Sequence, residues 1–330
     1  MFTHAGNTIR QTISFKKLQK QQFFDSVIIG DLDELKKILK YGFDPNTLDH
    51  DFSSALHITA EKGDTSVAIV LLRHKEIDIN SHENTRTGDT PLITAVTYGR
   101  PQFVSLLLLH GADPNIRNHF EKTALHVAVK KRSLSMVREL LFTRAEPNVE
   151  DSFGNTPLSF SIIEFPSKKI AETLLEWGAD PDYHIIRPQP LLIELALNCC
   201  SPEHLDLVRI LVTNNGNINI QDRVSKQTPL HMVSITGYCP LASLLLKLGA
   251  DSNVKDSSGR TPLDVAVDHK HEDLVQLYTE REKLLNTFNK DRLGKKKEGH
   301  YSKNVRFNNV QNVEISTETS EEDEFNVMIL

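Results

Sequence analysis

Thr228-Pro229-Leu230-His231, followed nineteen residues after the histidine by Ala250-Asp251-Ser252-Asn253, is the stretch on which the reading of this chain turns. Working outward, the same stretch recurs with variations. It begins as Ser54-Ala55-Leu56-His57, Thr90-Pro91-Leu92, Thr123-Ala124-Leu125-His126, Thr156-Pro157-Leu158, Gln189-Pro190-Leu191 and Thr261-Pro262-Leu263-Asp264. The leucines are spaced by 36, 33, 33, 33, 39 and 33 residues, a structural repeat with local insertions. Each start has a physical reading. Thr can cap an orphan N–H with its hydroxyl. Pro suits the first helical position, where a missing N–H costs nothing. Leu points into the stack, and Ala60, Ala95, Ala128 and Ala266 let neighbouring helices approach closely. A second helix carries a leucine run, as in Leu106 to Leu109 and Leu244-Leu245-Leu246. Gly111, Gly178 and Gly249 then end it in the left-handed conformation. Asp113-Pro114-Asn115 and Asp251-Ser252-Asn253 open an extended turn to the next repeat.

Towards the N-terminus, Phe23, Phe24, Val27 and Ile28 form one apolar stripe and Leu32, Leu35, Ile38 and Leu39 a second, with Gly30-Asp31 between them. That pattern predicts a helical hairpin. The period, the start signature, the leucine-rich second helix and the Gly-Ala-Asp turn together resemble the ankyrin repeat, whose 33-residue period and T-P-L-H-x-A start are established for that family. The resemblance covers residues 21 to about 286. It implies an all-α repeat solenoid: a curved stack of about eight helix-turn-helix units with β-hairpin-like loops.

Departures from the pattern carry expectations of their own. Phe52, Glu121 and Lys226 replace the glycine found at Gly88, Gly154 and Gly259, and Glu76 and Arg144 replace the helix-ending glycine. The sixth repeat is the least regular, with Cys199-Cys200-Ser201-Pro202 predicting a longer connection between its helices. The domain division expected is a flexible leader over 1–20, the repeats over 21–286, and a disordered tail over 287–330 that is basic and then acidic.

Composition excludes several classes. The net charge of −6 is mild and gives no support to whole-chain nucleic-acid binding. No apolar run approaches the roughly 18 residues of a membrane helix. Three unevenly placed cysteines make no disulfide framework, so the expected setting is reducing: cytoplasm or nucleus. No phosphate loop or nucleophile elbow occurs, and the chain reads as a non-enzyme without cofactor or metal. Fourteen histidines are present, but His57, His126 and His231 fall one per repeat and do not converge as ligands do.

The resemblance implies protein partners on the concave face, lined by residues just after the signature. Here those are Glu61-Lys62, Thr97-Tyr98, Lys130-Lys131, Ile235-Thr236 and Asp268-His269, with Tyr98, Lys130, Lys131 and Ile235 as the candidate contacts. The loop tips add Phe52, Phe120, Tyr183 and Ile185, which either touch a partner or fold onto the next loop. In the tail, Lys303-Asn304-Val305-Arg306-Phe307 resembles the docking motif of protein phosphatase 1 regulators, with Lys303, Val305 and Phe307 as the anchors. Two further readings stand beside the plain interaction scaffold. One is a subunit recruiting protein phosphatase 1 through that motif. The other is a transcription-factor inhibitor resembling the NF-κB-inhibitor family, though no Asp-Ser-Gly-x-x-Ser degron occurs in the leader.

Overall fold

The computed structural model describes residues 2–184, 189–198 and 201–295, with side chains placed for 16–184, 189–198 and 201–283. The chain divides into two parts, Met1–Arg281 and Glu282–Leu330, and the repeats fill the first. Sixteen helices follow one another as eight pairs. The pairs are α1 (Phe2–Ile29) with α2 (Leu32–Lys40), α3 (Ala55–Lys62) with α4 (Thr65–Leu72), α5 (Pro91–Thr97) with α6 (Pro101–Leu109), and α7 (Ala124–Lys130) with α8 (Leu134–Phe142). The next four are α9 (Pro157–Ser159) with α10 (Lys168–Glu176), α11 (Leu191–Asn198) with α12 (Pro202–Thr213), α13 (Pro229–Thr236) with α14 (Cys239–Lys247), and α15 (Pro262–Asp268) with α16 (Glu272–Lys295). First helices pack on first helices of adjacent repeats, as in α3 on α5 and α13 on α15, and second helices on second, as in α6 on α8.

The starts work as their residue types require. Thr90, Thr156, Thr228 and Thr261 each accept a hydrogen bond from the backbone three residues on, and Pro91, Pro157, Pro229 and Pro262 open their helices. Leu56, Leu92, Leu125, Leu158 and Leu230 are buried, and Ala60, Ala95, Ala128 and Ala266 lie at the close helix contacts with no exposed surface. Gly111, Gly178 and Gly249 end their helices at φ of 89°, 89° and 99°.

Where glycine is missing, the backbone still demands its conformation. Phe52, Glu121, Lys226 and Arg144 all have φ between 56° and 68°. Glu76 does not share it; the loop after α4 is longer there and turns through His74 to Ile77.

Some details differ from the pattern. Helix α1 spans Phe2–Ile29. Ile28, expected on the apolar stripe, is 51% exposed. Leu109, the last of its leucine run, is 83% exposed at the end of α6. Three of the six extra residues of the sixth repeat enter α12, which is 12 residues long against 9 in α6, α8, α10 and α14; the connection before it includes Cys199 and Cys200, which lie outside the described residues. In the fifth repeat α9 widens after one turn into a π-helical turn, Phe160–Glu164. The loops are β-hairpin-like, as expected: Asn118 N–H donates to the Lys122 carbonyl at 2.9 Å, and a single antiparallel bridge, Leu48 to Ser54, occurs among the described residues.

Successive repeats are joined by an asparagine ladder at these turns. Asn46 Nδ2 donates to the Glu76 carbonyl at 2.7 Å, and its Oδ1 accepts from Asp78 N–H at 2.8 Å. Asn115 does the same to Arg144 and Glu146, and Asn148 to Gly178 and Asp180. Asp182 holds the next rung. It accepts from Asn217 N–H at 2.8 Å but has no amide to donate. Partial burial raises its carboxyl above the ordinary aspartate range. Asp182→Asn is therefore expected to add the missing donor towards the Asn215 carbonyl and raise stability by about 1 kcal/mol at neutral pH. Urea unfolding of the two proteins checks this; an unchanged or lowered midpoint would show that the rung is already satisfied.

Candidate functional site

The repeated polar residues build joints between repeats. Thr228 N–H donates to His231 Nδ1 at 3.2 Å, which fixes that nitrogen as the acceptor. The proton then sits on Nε2, which donates to the Arg260 carbonyl of the next repeat at 3.0 Å. His126 is held alike between Thr123 and the Asn155 carbonyl, and His57 between Ser54 and the Asp89 carbonyl. Burial lowers all three imidazoles, His126 to about 4. A neutral, doubly hydrogen-bonded imidazole has no lone pair left for a metal, and no group of three or more His, Cys, Asp or Glu suited to one occurs among the described residues. Asp264 replaces the histidine in the eighth repeat. Its carboxylate accepts from Thr261 N–H at 2.8 Å, completing the cap in the last repeat of the series.

The row expected to carry binding lies at the ends of the first helices. Tyr98 caps the C-terminus of α5 and is 49% exposed. Partial burial, then the charge of Glu61 and the fields of Glu83 and Asp89, hold its hydroxyl above the ordinary tyrosine range. Lys130 and Lys131 end α7 and are both exposed. Arg132 follows at φ 55° and donates to the Pro166 carbonyl at 2.8 Å, tying the fourth repeat to the fifth. Ile235 differs from the expectation. It is half-buried against the core, and its carbonyl accepts from His271 Nε2 at 3.1 Å, so it belongs to the joint between the seventh and eighth repeats as much as to the surface. Gly237 beside it lies at φ 78°, and a Cβ there would sit 2.6 Å from the His271 ring.

The structure thus brings Tyr98, Lys130 and Lys131 onto adjacent repeats, because α5 packs directly on α7. It keeps Ile235 three repeats further along. Of the loop tips, Phe52 is 53% exposed, while Phe120 and Tyr183 are half-buried. Tyr183 lines a shallow depression with Arg117, Glu121, Glu146 and Glu150. Ile185, Cys199, Cys200 and the motif of Lys303, Val305 and Phe307 lie outside the described residues. Reading the sequence placed Glu61 in the same row as Tyr98 but missed that Glu61, Glu83 and Asp89 act on its hydroxyl. Their sequence separation hides them, although Glu61 falls at the position equivalent to Thr97. No helix among the described residues is long and apolar enough to cross a membrane.

Comparison with known proteins agrees with this geometry. The family described as ankyrin repeats, in three copies, matches residues 24–118, 103–184 and 195–287. The B-cell lymphoma 3 protein homolog of Mus musculus is 30% identical over 240 residues, which is 69% of this chain and 51% of that protein. Inversin of Canis lupus familiaris is 30% identical over 250 residues, 70% of this chain and 21% of that protein. The chain therefore spans about half of the first of these relatives and about a fifth of the second. The crystal structure of the ankyrin repeat domain of Bcl-3, described as a unique member of the IkappaB protein family, superposes with a TM-score of 0.61 at 30% identity, covering 69% of this chain and 100% of that one. The capped helix pairs, the histidine and asparagine joints between them and these matches together place the chain in the ankyrin repeat family.

Proposed function

We propose that this chain is a non-enzymatic scaffold that binds a protein partner across the ends of its first helices, centred on Tyr98 and Lys131. Ankyrin repeats are protein-interaction modules, and the repeat supplies a rigid surface that is ordered before the partner arrives. The observation that carries the choice of site is the exposure of Tyr98 beside two lysines. Neither ammonium has an ion-pair partner among the described residues, whereas the polar residues around them are engaged in joints between repeats. An exposed aromatic that gives up water on contact is the usual anchor of an interface.

The test is affinity purification with the full chain, wild type beside Tyr98→Ala/Lys131→Glu. The double variant is expected to lose at least tenfold of its main specific partner while its circular dichroism stays unchanged. Undiminished recovery would move the site elsewhere. A second reading, an inhibitor of a transcription factor, draws support from the 30% identity to the B-cell lymphoma 3 protein homolog and from the likeness to an IkappaB-family ankyrin domain. The same purification discriminates it, since that reading requires a transcription factor among the Tyr98-dependent partners. Recruitment of protein phosphatase 1 draws on the sequence of Lys303, Val305 and Phe307 alone.

A further inference from the structure

Along the row of first-helix ends, the chemistry changes sign across one aromatic ring. Helix α5 is packed between α3 and α7. Tyr98, at the end of α5, lies in the field of Glu61 at the end of α3, which helps to raise its hydroxyl above the ordinary tyrosine range. Glu83, on the loop leading into α5, adds negative charge near Tyr98, and Asp89 adds more from a carboxylate held by Asn118 of the next repeat. Part of that charge is engaged: Glu83 Oε1 accepts from the Thr85 and Thr87 hydroxyls, each at 2.6 Å, and Asp89 Oδ1 accepts from Asn118 at 2.7 Å. Arg100 also stands there, its Nε donating to the Glu61 carbonyl at 3.0 Å rather than to its carboxylate. Lys62 is turned away, towards the Ile28 carbonyl at 2.6 Å.

The other side of Tyr98 is basic. Lys130, Lys131 and Arg132 follow one another, and only Arg132 is engaged, on the Pro166 carbonyl. Glu164, exposed at the end of the π-helical turn, bounds this stretch, so the basic step is one repeat wide. The order along the row is therefore carboxylate, tyrosine, ammonium pair, carboxylate.

We propose that this row takes a bipolar peptide segment, with an apolar side chain on Tyr98, a cation towards Glu61 and Glu83, and an anion towards Lys130 and Lys131. The inference rests on the reading of these helix ends as the binding surface and adds to it the chemistry of the partner. Packed helices lie roughly 10 Å apart, so the two charges of the partner stand about 20 Å apart. That distance is about six residues of extended chain, with the apolar residue midway. Ordered opposite charges set the direction in which the segment lies and penalise the reverse one, since like charges would then face each other. A uniformly acidic segment would satisfy the lysines but meet Glu61 and Glu83.

A random dodecapeptide library displayed on phage and selected on the full chain, with Tyr98→Ala as the subtractive control, tests this. Enriched sequences are expected to carry Lys or Arg and Asp or Glu on opposite sides of an apolar residue, five to seven positions apart. The best synthetic peptide, measured by fluorescence anisotropy, should bind Lys130→Glu/Lys131→Glu at least tenfold more weakly. Selection on that variant should yield peptides basic on both sides. Both lysines are exposed, so the variant is expected to fold, and its thermal melt verifies it. Peptides that depend on Tyr98 but show no charge order would overturn the bipolar partner and leave the binding face standing. Peptides that bind Tyr98→Ala unchanged would remove both.

Discussion

Leu230→Ala is expected to lower the free energy of unfolding by about 2 to 5 kcal/mol. Leu230 is 1% exposed, and its helix, α13, packs on α11, α14 and α15 at once. Removing its isobutyl group therefore loosens three helix contacts and leaves a cavity that close-packed neighbours cannot fill without moving. In a stacked array each repeat is stabilised mainly by the one on either side, so the damage spreads along the stack. Urea unfolding followed by circular dichroism measures the loss. The single tryptophan, Trp177 at the end of α10, reports separately on the fifth repeat. A shift equivalent to less than about 1 kcal/mol would contradict the burial of Leu230.

The second large effect is with acid. Unfolded, the imidazole of His126 takes a proton near pH 6.5; folded, burial holds it neutral down to about pH 4. Between those values the unfolded state binds more protons, so stability falls as the pH drops from about 6.5 towards about 4 and levels out below. His126 alone accounts for about 3 kcal/mol across that window, at roughly 1.4 kcal/mol per unit of pKa difference. His57 and His231, lowered for the same reason, add to the slope in the same direction. Protonation also strikes at geometry. Nδ1 would gain a hydrogen where it now accepts from Thr123 N–H, so the helix cap is lost together with the neutral ring. His126→Gln should be less stable than wild type at pH 7, and the gap should narrow by pH 4.5. Parallel stability curves for the two proteins would show that His126 is not the group that titrates.

The repeat architecture was legible because it is written in local chemistry. A Thr cap, a first-turn Pro, a buried Leu and a helix-ending Gly each act over a few residues, and their 33-residue recurrence needs no tertiary knowledge. The positions where glycine is replaced were legible for the same reason, and Phe52, Glu121, Lys226 and Arg144 do adopt the left-handed backbone. What escaped depends on neighbours distant in sequence. The asparagine ladder pairs residues about 30 apart, although the recurring Asp-x-Asn in the turns was its visible trace. The widening of α9 into a π-helical turn, closed by Phe165 N–H reaching back to the Phe160 carbonyl at 2.8 Å, takes up one residue more than the regular repeats have before their second helix. Of the candidate contacts, Tyr98, Lys130 and Lys131 were chosen by register and are exposed. Ile235 shares that register but packs partly on the core, while its carbonyl accepts from His271, neither of which a period in the first helices could reveal.

The joints between repeats have a direction. In each rung an upstream side chain, Asn46, Asn115 or Asn148, engages only backbone groups downstream, and His57, His126 and His231 reach forward in the same way. These asparagine and histidine bonds are thus specified by the upstream repeat alone, whereas Lys62, Arg100 and His271 reach back to carbonyls of the repeat before them. For the forward-pointing bonds a downstream repeat need supply only the right backbone path. Recombination should respect this asymmetry: a foreign repeat can be grafted after Asn148 more readily than after Asp182, where the forward-pointing amide is absent.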